Sequence, residues 1–138
     1  MAFNHVTAED YSLILNLMGK YQHLVDDGDE DGWADLYTED GAFLGVSEND
    51  DDHRGREGLK KIVKMNIVQS SGNFRHNISS FSAEYGISSD EAHARYYMIG
   101  TISPPGQATQ IALQVDVRTH LVKIGGEWKI KTNRMSTL

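Results

Sequence analysis

The sequence predicts an α+β fold in which three N-terminal helices cover one face of a strongly curved antiparallel sheet. Three observations predict it. Up to Gly72 the apolar residues recur at helical spacing, whereas from Phe74 onward they alternate with polar residues along four long runs. Between those runs stand Ser88-Ser89-Asp90, Pro104-Pro105-Gly106 and Gly125-Gly126, which are turn formers at the spacing of an antiparallel meander.

The elements follow in order. Thr7 with Asp10 three residues later makes a capping start, and Tyr11, Ile14, Leu15, Met18, Tyr21, Leu24 and Val25 then form one apolar stripe of a long first helix. Gly28 stops it, and Asp29 caps a second, short helix carrying Trp33, Leu36 and Tyr37. Asp40-Gly41 is expected to turn the chain into a strand over Ala42 to Val46. After an acidic loop, Gly55-Arg56-Glu57-Gly58 opens a third helix with Leu59, Ile62, Val63, Asn66 and Ile67 on one side, ending near Ser70-Ser71-Gly72. Arg56 and Glu57 read as an ion pair or helix cap. Strands are expected over Arg75 to Tyr85, Ala92 to Ile102, Thr109 to Val122 and Trp128 to Met135, curved so that helices and sheet close a cone over a pocket.

Composition narrows the function. A chain of 138 residues is the size of one domain, and its longest apolar runs, such as Ile111 to Leu113, are far too short to cross a bilayer. No membrane span is expected. The N-terminal residues lack the basic and apolar regions of a secretory signal, so the cytoplasm is the expected location. A formal charge of -7 with no long basic run argues against nucleic acid as a partner. With 0 cysteines there is no thiolate nucleophile or zinc-thiolate site. The acidic runs Asp26 to Asp31 and Glu48 to Asp52 lack the order of a calcium loop, and no Gly-x-Ser-x-Gly elbow or phosphate loop occurs. The remaining histidines, His5, His23, His53, His93 and His120, show no metal-ligand spacing, and no metal or other cofactor is expected.

Acid-base chemistry remains. Asp26 ends the first helix and His76 opens the first long strand; brought together, a carboxylate behind an imidazole fixes its tautomer and raises its basicity, making a proton-abstracting dyad. On the strand from Ala92, either Tyr96 or Tyr97 can line the cavity as a hydrogen-bond donor, and Trp33, Phe43, Leu113, Val117 and Trp128 read as packing or pocket wall.

Several segments taken together resemble one family: Asp10-Tyr11, Tyr21 and Asp26 with Gly28-Asp29, Trp33-Ala34-Asp35-Leu36-Tyr37-Thr38-Glu39-Asp40-Gly41-Ala42-Phe43, Gly55-Arg56-Glu57-Gly58-Leu59, Arg75-His76-Asn77 and Gly126-Glu127-Trp128-Lys129-Ile130. In order and spacing the chain resembles the nuclear-transport-factor-2-like superfamily, in its polyketide-cyclase-like (SnoaL-like) and scytalone-dehydratase-like branch. The resemblance implies a cone-shaped, cystatin-like α+β barrel with an apolar interior. It also implies catalytic roles for Asp26 and His76, which fall where the branch's dehydratases use an aspartate to orient a histidine. Val25, Leu44 or Gly45, Ile102 and Val117 stand where those dehydratases carry a tyrosine, a second tyrosine, a second histidine and an asparagine. A greasier cavity is therefore expected, with Tyr21, Tyr96, Val117 and Trp128 binding substrate.

The function expected is a cofactor-independent lyase or isomerase that takes a proton from a small apolar organic molecule. The rival is a non-catalytic binding or assembly module of the same fold. Self-association as a homodimer or homotrimer is expected through the outer sheet face, including Gln114, Asp116 and Arg118.

Overall fold

The computed structural model describes residues 4–137. Its elements run α1 (Ala8–Asp27), α2 (Glu30–Ala34), β1 (Tyr37–Leu44), a 3-10 turn (Asp50–His53), α3 (Gly55–Ser70), β2 (Phe74–Tyr85), β3 (Glu91–Ile102), β4 (Gln110–Ile124) and β5 (Glu127–Thr137). The strands form one sheet in the order β1-β5-β4-β3-β2. This is an α+β architecture in which all three helices precede the meander β2 to β5.

The helix ends obey local chemistry. The Asp10 N–H donates to Thr7 Oγ1 at 3.1 Å, and Gly28 closes α1 in the left-handed region at φ 76°. Ile14, Met18, Tyr21 and Val25 are buried along α1 at spacings of three and four, which fixes the face turned to the sheet. Arg56 donates to Asp35 at 2.6 Å and Asp31 at 3.0 Å, so the start of α3 is tied to α2.

The second helix ends at Ala34, and Tyr37 already belongs to β1. The chain does not turn at Asp40-Gly41 as expected. Instead β1 passes through both residues, with a register irregularity between Tyr37 and Ala42. A Cβ on Gly41 would lie 2.8 Å from Tyr37 Cβ, so the missing side chain is what lets the strand buckle back over Tyr37. β2 to β5 form an antiparallel meander, while β1 joins the free edge of β5 in parallel.

Two bulges decide which side chains face inward. In β2 the inward residues are Phe74, His76 and Ile78, then Phe81, Ala83 and Tyr85, because the register shifts between Ser79 and Ser82 and Ser80 adopts φ 54°. In β5 Trp128 and Ile130 face inward, and a shift then turns Asn133 and Met135 inward instead of Thr132 and Arg134. β4 departs from expectation at its start: Ile111 and Leu113 stay exposed, and the buried face begins at Val115.

Asp116, expected to be available to a partner subunit, is buried at 8% exposure. Arg95 forks onto it at 2.8 and 3.1 Å, and those hydrogen bonds hold its carboxyl below the usual carboxylate range.

Trp128 is tied to the first turn of α1. Its Nε1 donates to Asp10 Oδ1 at 3.0 Å, beside Lys123 Nζ at 3.2 Å and the Tyr85 hydroxyl. Burial by itself would raise the Asp10 pKa, but the bonds from Tyr85, Trp128 and Lys123 outweigh it and lower it. Asp10→Asn should therefore cost about 1–3 kcal/mol at neutral pH, since the buried Trp128 N–H and the half-buried Tyr85 and Lys123 donors lose a charged acceptor. With a folded pKa below the unfolded one, this stability is present above the ordinary carboxylate range and is lost as pH falls through the folded value. Denaturant midpoints of parent and variant should thus differ at neutral pH and converge in strong acid; a constant difference would contradict this account.

Candidate active site

Asp26 lies on α1 four residues after Gln22, so both project from the same side of the helix toward the sheet, and both are buried. Opposite stands β2, where His76 faces inward. His76 Nδ1 lies 2.6 Å from Asp26 Oδ1, and the backbone N–H of His76 donates to Asp26 Oδ2 at 3.2 Å. Both carboxylate oxygens are thereby engaged by one residue. Because a carboxylate only accepts, the Nδ1 hydrogen points at Asp26, and in the neutral ring Nε2 keeps its lone pair. The Phe74 ring packs on the imidazole at 4.7 Å between centroids, and it fits only because residue 100 has no side chain: a Cβ on Gly100, the β3 partner of His76, would come within 2.2 Å of Phe74.

His76 lines an internal cavity of about 70 Å³ between α1, α3 and the sheet. Of the residues expected to bind substrate, Tyr21, Tyr96 and Val117 line it with His76. Trp128 does not. It sits by Asp10, about four turns of α1 away from Asp26, where its indole N–H finds a buried acceptor.

The cavity surface is mostly apolar, and a few polar side chains stand in and behind its wall. Tyr21 and Tyr37 share a hydrogen bond at 3.0 Å, Asn133 Nδ2 donates to the Tyr21 hydroxyl at 2.9 Å, and Thr119 donates to Asn133 Oδ1. Gln22 Nε2 lies 3.5 Å from the Tyr96 hydroxyl. Burial pushes the Tyr96 pKa up to about 12 and those of Tyr21 and Tyr37 well above the ordinary value, so all three are neutral phenols that can donate but do not act as bases. The Trp33 Nε1 hydrogen is buried without a partner among the described residues, and Trp33 also lines the cavity. His76 thus stands in a wall of apolar side chains among which Tyr21, Tyr96 and Trp33 are neutral donors.

Sequence reasoning missed Gln22, Asn66 and Asn133 in this wall. Gln22 had a signal, since it shares its helix face with Asp26. Asn133 had none: alternation counted from Trp128 points it outward, and only the β5 bulge reverses that. Val117 stands where the resemblance implies an asparagine; the asparagines lining this cavity are Asn66 of α3 and Asn133 of β5.

His93 and His120 show no metal-ligand spacing along the chain, yet β3 and β4 pair them directly, with rings stacked at 4.7 Å beside Glu91. They lie on the outer face, away from His76. Burial, then repulsion from His93, lowers the His120 pKa.

A helix-covered curved sheet enclosing a carboxylate-imidazole pair is the plan of a cystatin-like α+β cone with an internal site. The chain belongs to the SnoaL-like domain family, whose model matches residues 6–134. Aln2 from a Streptomyces species is similar in structure, with a TM-score of 0.87 and 17% identity over 96% of this chain and 94% of that one. An NTF2-like protein with a cystatin-like fold from Novosphingobium aromaticivorans has a TM-score of 0.82 and 19% identity over 94% and 82%. A provisionally named scytalone dehydratase from the same organism has a TM-score of 0.76 and 20% identity over 94% and 84%. At these identities the likeness shows the fold. No functionally curated protein matches the sequence. Among the described residues no helix is long and apolar enough to cross a membrane.

Proposed function

We propose that this protein is a cofactor-independent lyase or isomerase in which His76 removes a proton from a small, largely apolar organic molecule. The observation that carries the reading is the 2.6 Å contact of Asp26 with His76 Nδ1, which leaves the opposite ring nitrogen of this cavity-lining residue to serve as the base. The C–H bond electrons stay on the substrate as its proton passes to Nε2, and Asp26 stabilises the imidazolium that results. The negative charge developing on the substrate is met by neutral phenols and the indole N–H, which donate without carrying charge of their own. Loss of water or another leaving group, or return of the proton at a second carbon, completes elimination or isomerisation.

The cavity as it stands is smaller than typical ligand pockets of roughly 300–1,000 Å³. Binding therefore requires its half-buried walls, Phe43, Ile62 and Met135, to move apart, and Met135 has the rotatable bonds to do so. The test is to incubate the protein with apolar hydroxy, carbonyl, epoxy and halogenated compounds in D2O and follow deuterium incorporation or elimination by mass spectrometry and NMR. Protein-dependent exchange at a carbon next to an electron-withdrawing group is expected. A compound that binds in the cavity and neither exchanges nor reacts would replace the enzyme with a binding module.

The reading includes self-association through the outer sheet face, where Gln114 and Arg118 remain exposed. Light scattering at micromolar concentration should give a dimer or trimer mass. A monomer mass would remove this part of the proposal.

A further inference from the structure

We propose that Glu91, His93 and His120 form a binding site for one divalent transition-metal ion, zinc being the model case, on the outer face of the sheet. Glu91 and His93 are two apart on β3 and so project from the same face, and strand pairing sets His120 of β4 directly opposite His93. The three side chains converge. His93 Nε2 lies 3.3 Å and His120 Nε2 3.6 Å from the same oxygen of Glu91, and all three ligand atoms fall within 4.8 Å of one another. Zinc bonds of about 2.1 Å at tetrahedral angles place neighbouring ligand atoms about 3.4 Å apart, so two of the three separations already suit an ion and the third closes with small ring rotations.

Two further observations point to a ligand. The His120 Nε2 atom is buried and makes no hydrogen bond among the described residues, although buried ring nitrogens are normally satisfied. The Glu91 carboxylate can lie beside the imidazoles because Gly86 leaves the space it fills: a Cβ there would lie 2.3 Å from Oε1. Two imidazole nitrogens with one carboxylate oxygen form a donor set suited to zinc and its neighbours in the first transition row, and poorly suited to magnesium or calcium, which prefer all-oxygen shells. Both imidazoles line an outer-face groove of about 770 Å³. This site lies on the opposite face of the sheet from His76 and is independent of the proton-transfer reading.

The test uses the full chain, freed of any affinity tag and of metal by chelation, titrated with zinc chloride in a calorimeter at neutral pH. Saturable binding of one zinc per chain with a micromolar or lower Kd is expected. His93→Gln, His120→Gln and Glu91→Gln should each weaken it at least tenfold, while His76→Ala and His23→Gln leave it unchanged. His93 is half-exposed, so its variant tests the site without disturbing the core. Imidazole NMR signals of His93 and His120 in the parent protein should shift together on zinc addition, a readout that needs no variant. Absence of saturable binding, millimolar affinity only, binding that survives both histidine variants, or zinc shifts confined to His76 would each overturn the site.

Discussion

Replacing His76 with alanine should slow the chemical step by about 10²–10⁴-fold, a loss of roughly 2.7–5.4 kcal/mol in transition-state stabilisation. The size follows from the role: proton transfer to a positioned base is lost, while the phenols and the closed cavity continue to bind and polarise the substrate. KM should change little, because the imidazole acts on a proton that is in flight only in the transition state. Alanine also leaves the buried Asp26 carboxylate held by the backbone N–H of residue 76 without the ring, so local rearrangement adds to the loss. His76→Asn separates the two effects. Its side-chain amide can donate to Asp26 as Nδ1 does, yet it offers no basic nitrogen, so it should fold like the parent and be as inactive as the alanine variant. Turnover measured on a compound identified by deuterium exchange decides the matter. Either variant reacting at the parental rate would reduce the dyad to a structural contact.

Asp26→Asn should be nearly as damaging, approaching the factor of about 10⁴ seen when the aspartate of a serine-protease triad becomes asparagine. The reason is again the 2.6 Å contact. An asparagine has one acceptor oxygen where the carboxylate has two, and His76 presents two donors, its backbone N–H and its Nδ1–H. If the oxygen takes the backbone N–H, the amide NH2 faces Nδ1 and drives the imidazole hydrogen to Nε2. The ring then shows the cavity a donor in place of a lone pair, and no charge remains to stabilise the imidazolium. Nitrogen-15 spectra report this directly: Nε2 of His76 should change from the bare to the protonated type in the variant. An unchanged tautomer together with unchanged turnover would rule out the positioning role of Asp26.

The sequence determined the order of elements and most of their ends, because those rest on local chemistry. Thr7 and Asp29 cap helices, Gly28 takes a left-handed φ, and the change from helical to alternating periodicity at Phe74 coincides with the start of β2. It also singled out Asp26 and His76, through residue type and a family-like order of segments. Inside the helices the reading extended to orientation, since a continuous stripe with period 3.6 leaves only one face to bury.

Tertiary structure decided what local pattern cannot encode. A bulge reverses the inward side of a strand with one extra residue, so Asn133 enters the cavity and Thr132 leaves it, against simple alternation. Trp128 has the look of a pocket residue, but a buried acceptor on Asp10, distant in sequence, holds it elsewhere. The pairing of His93 with His120 depends on the register of β3 against β4, and two histidines on separate strands carry no spacing rule that announces it. Local signals reach a few residues along the chain, whereas the cavity wall and the imidazole pair are made by contacts across strands, and those exist only once the sheet has closed.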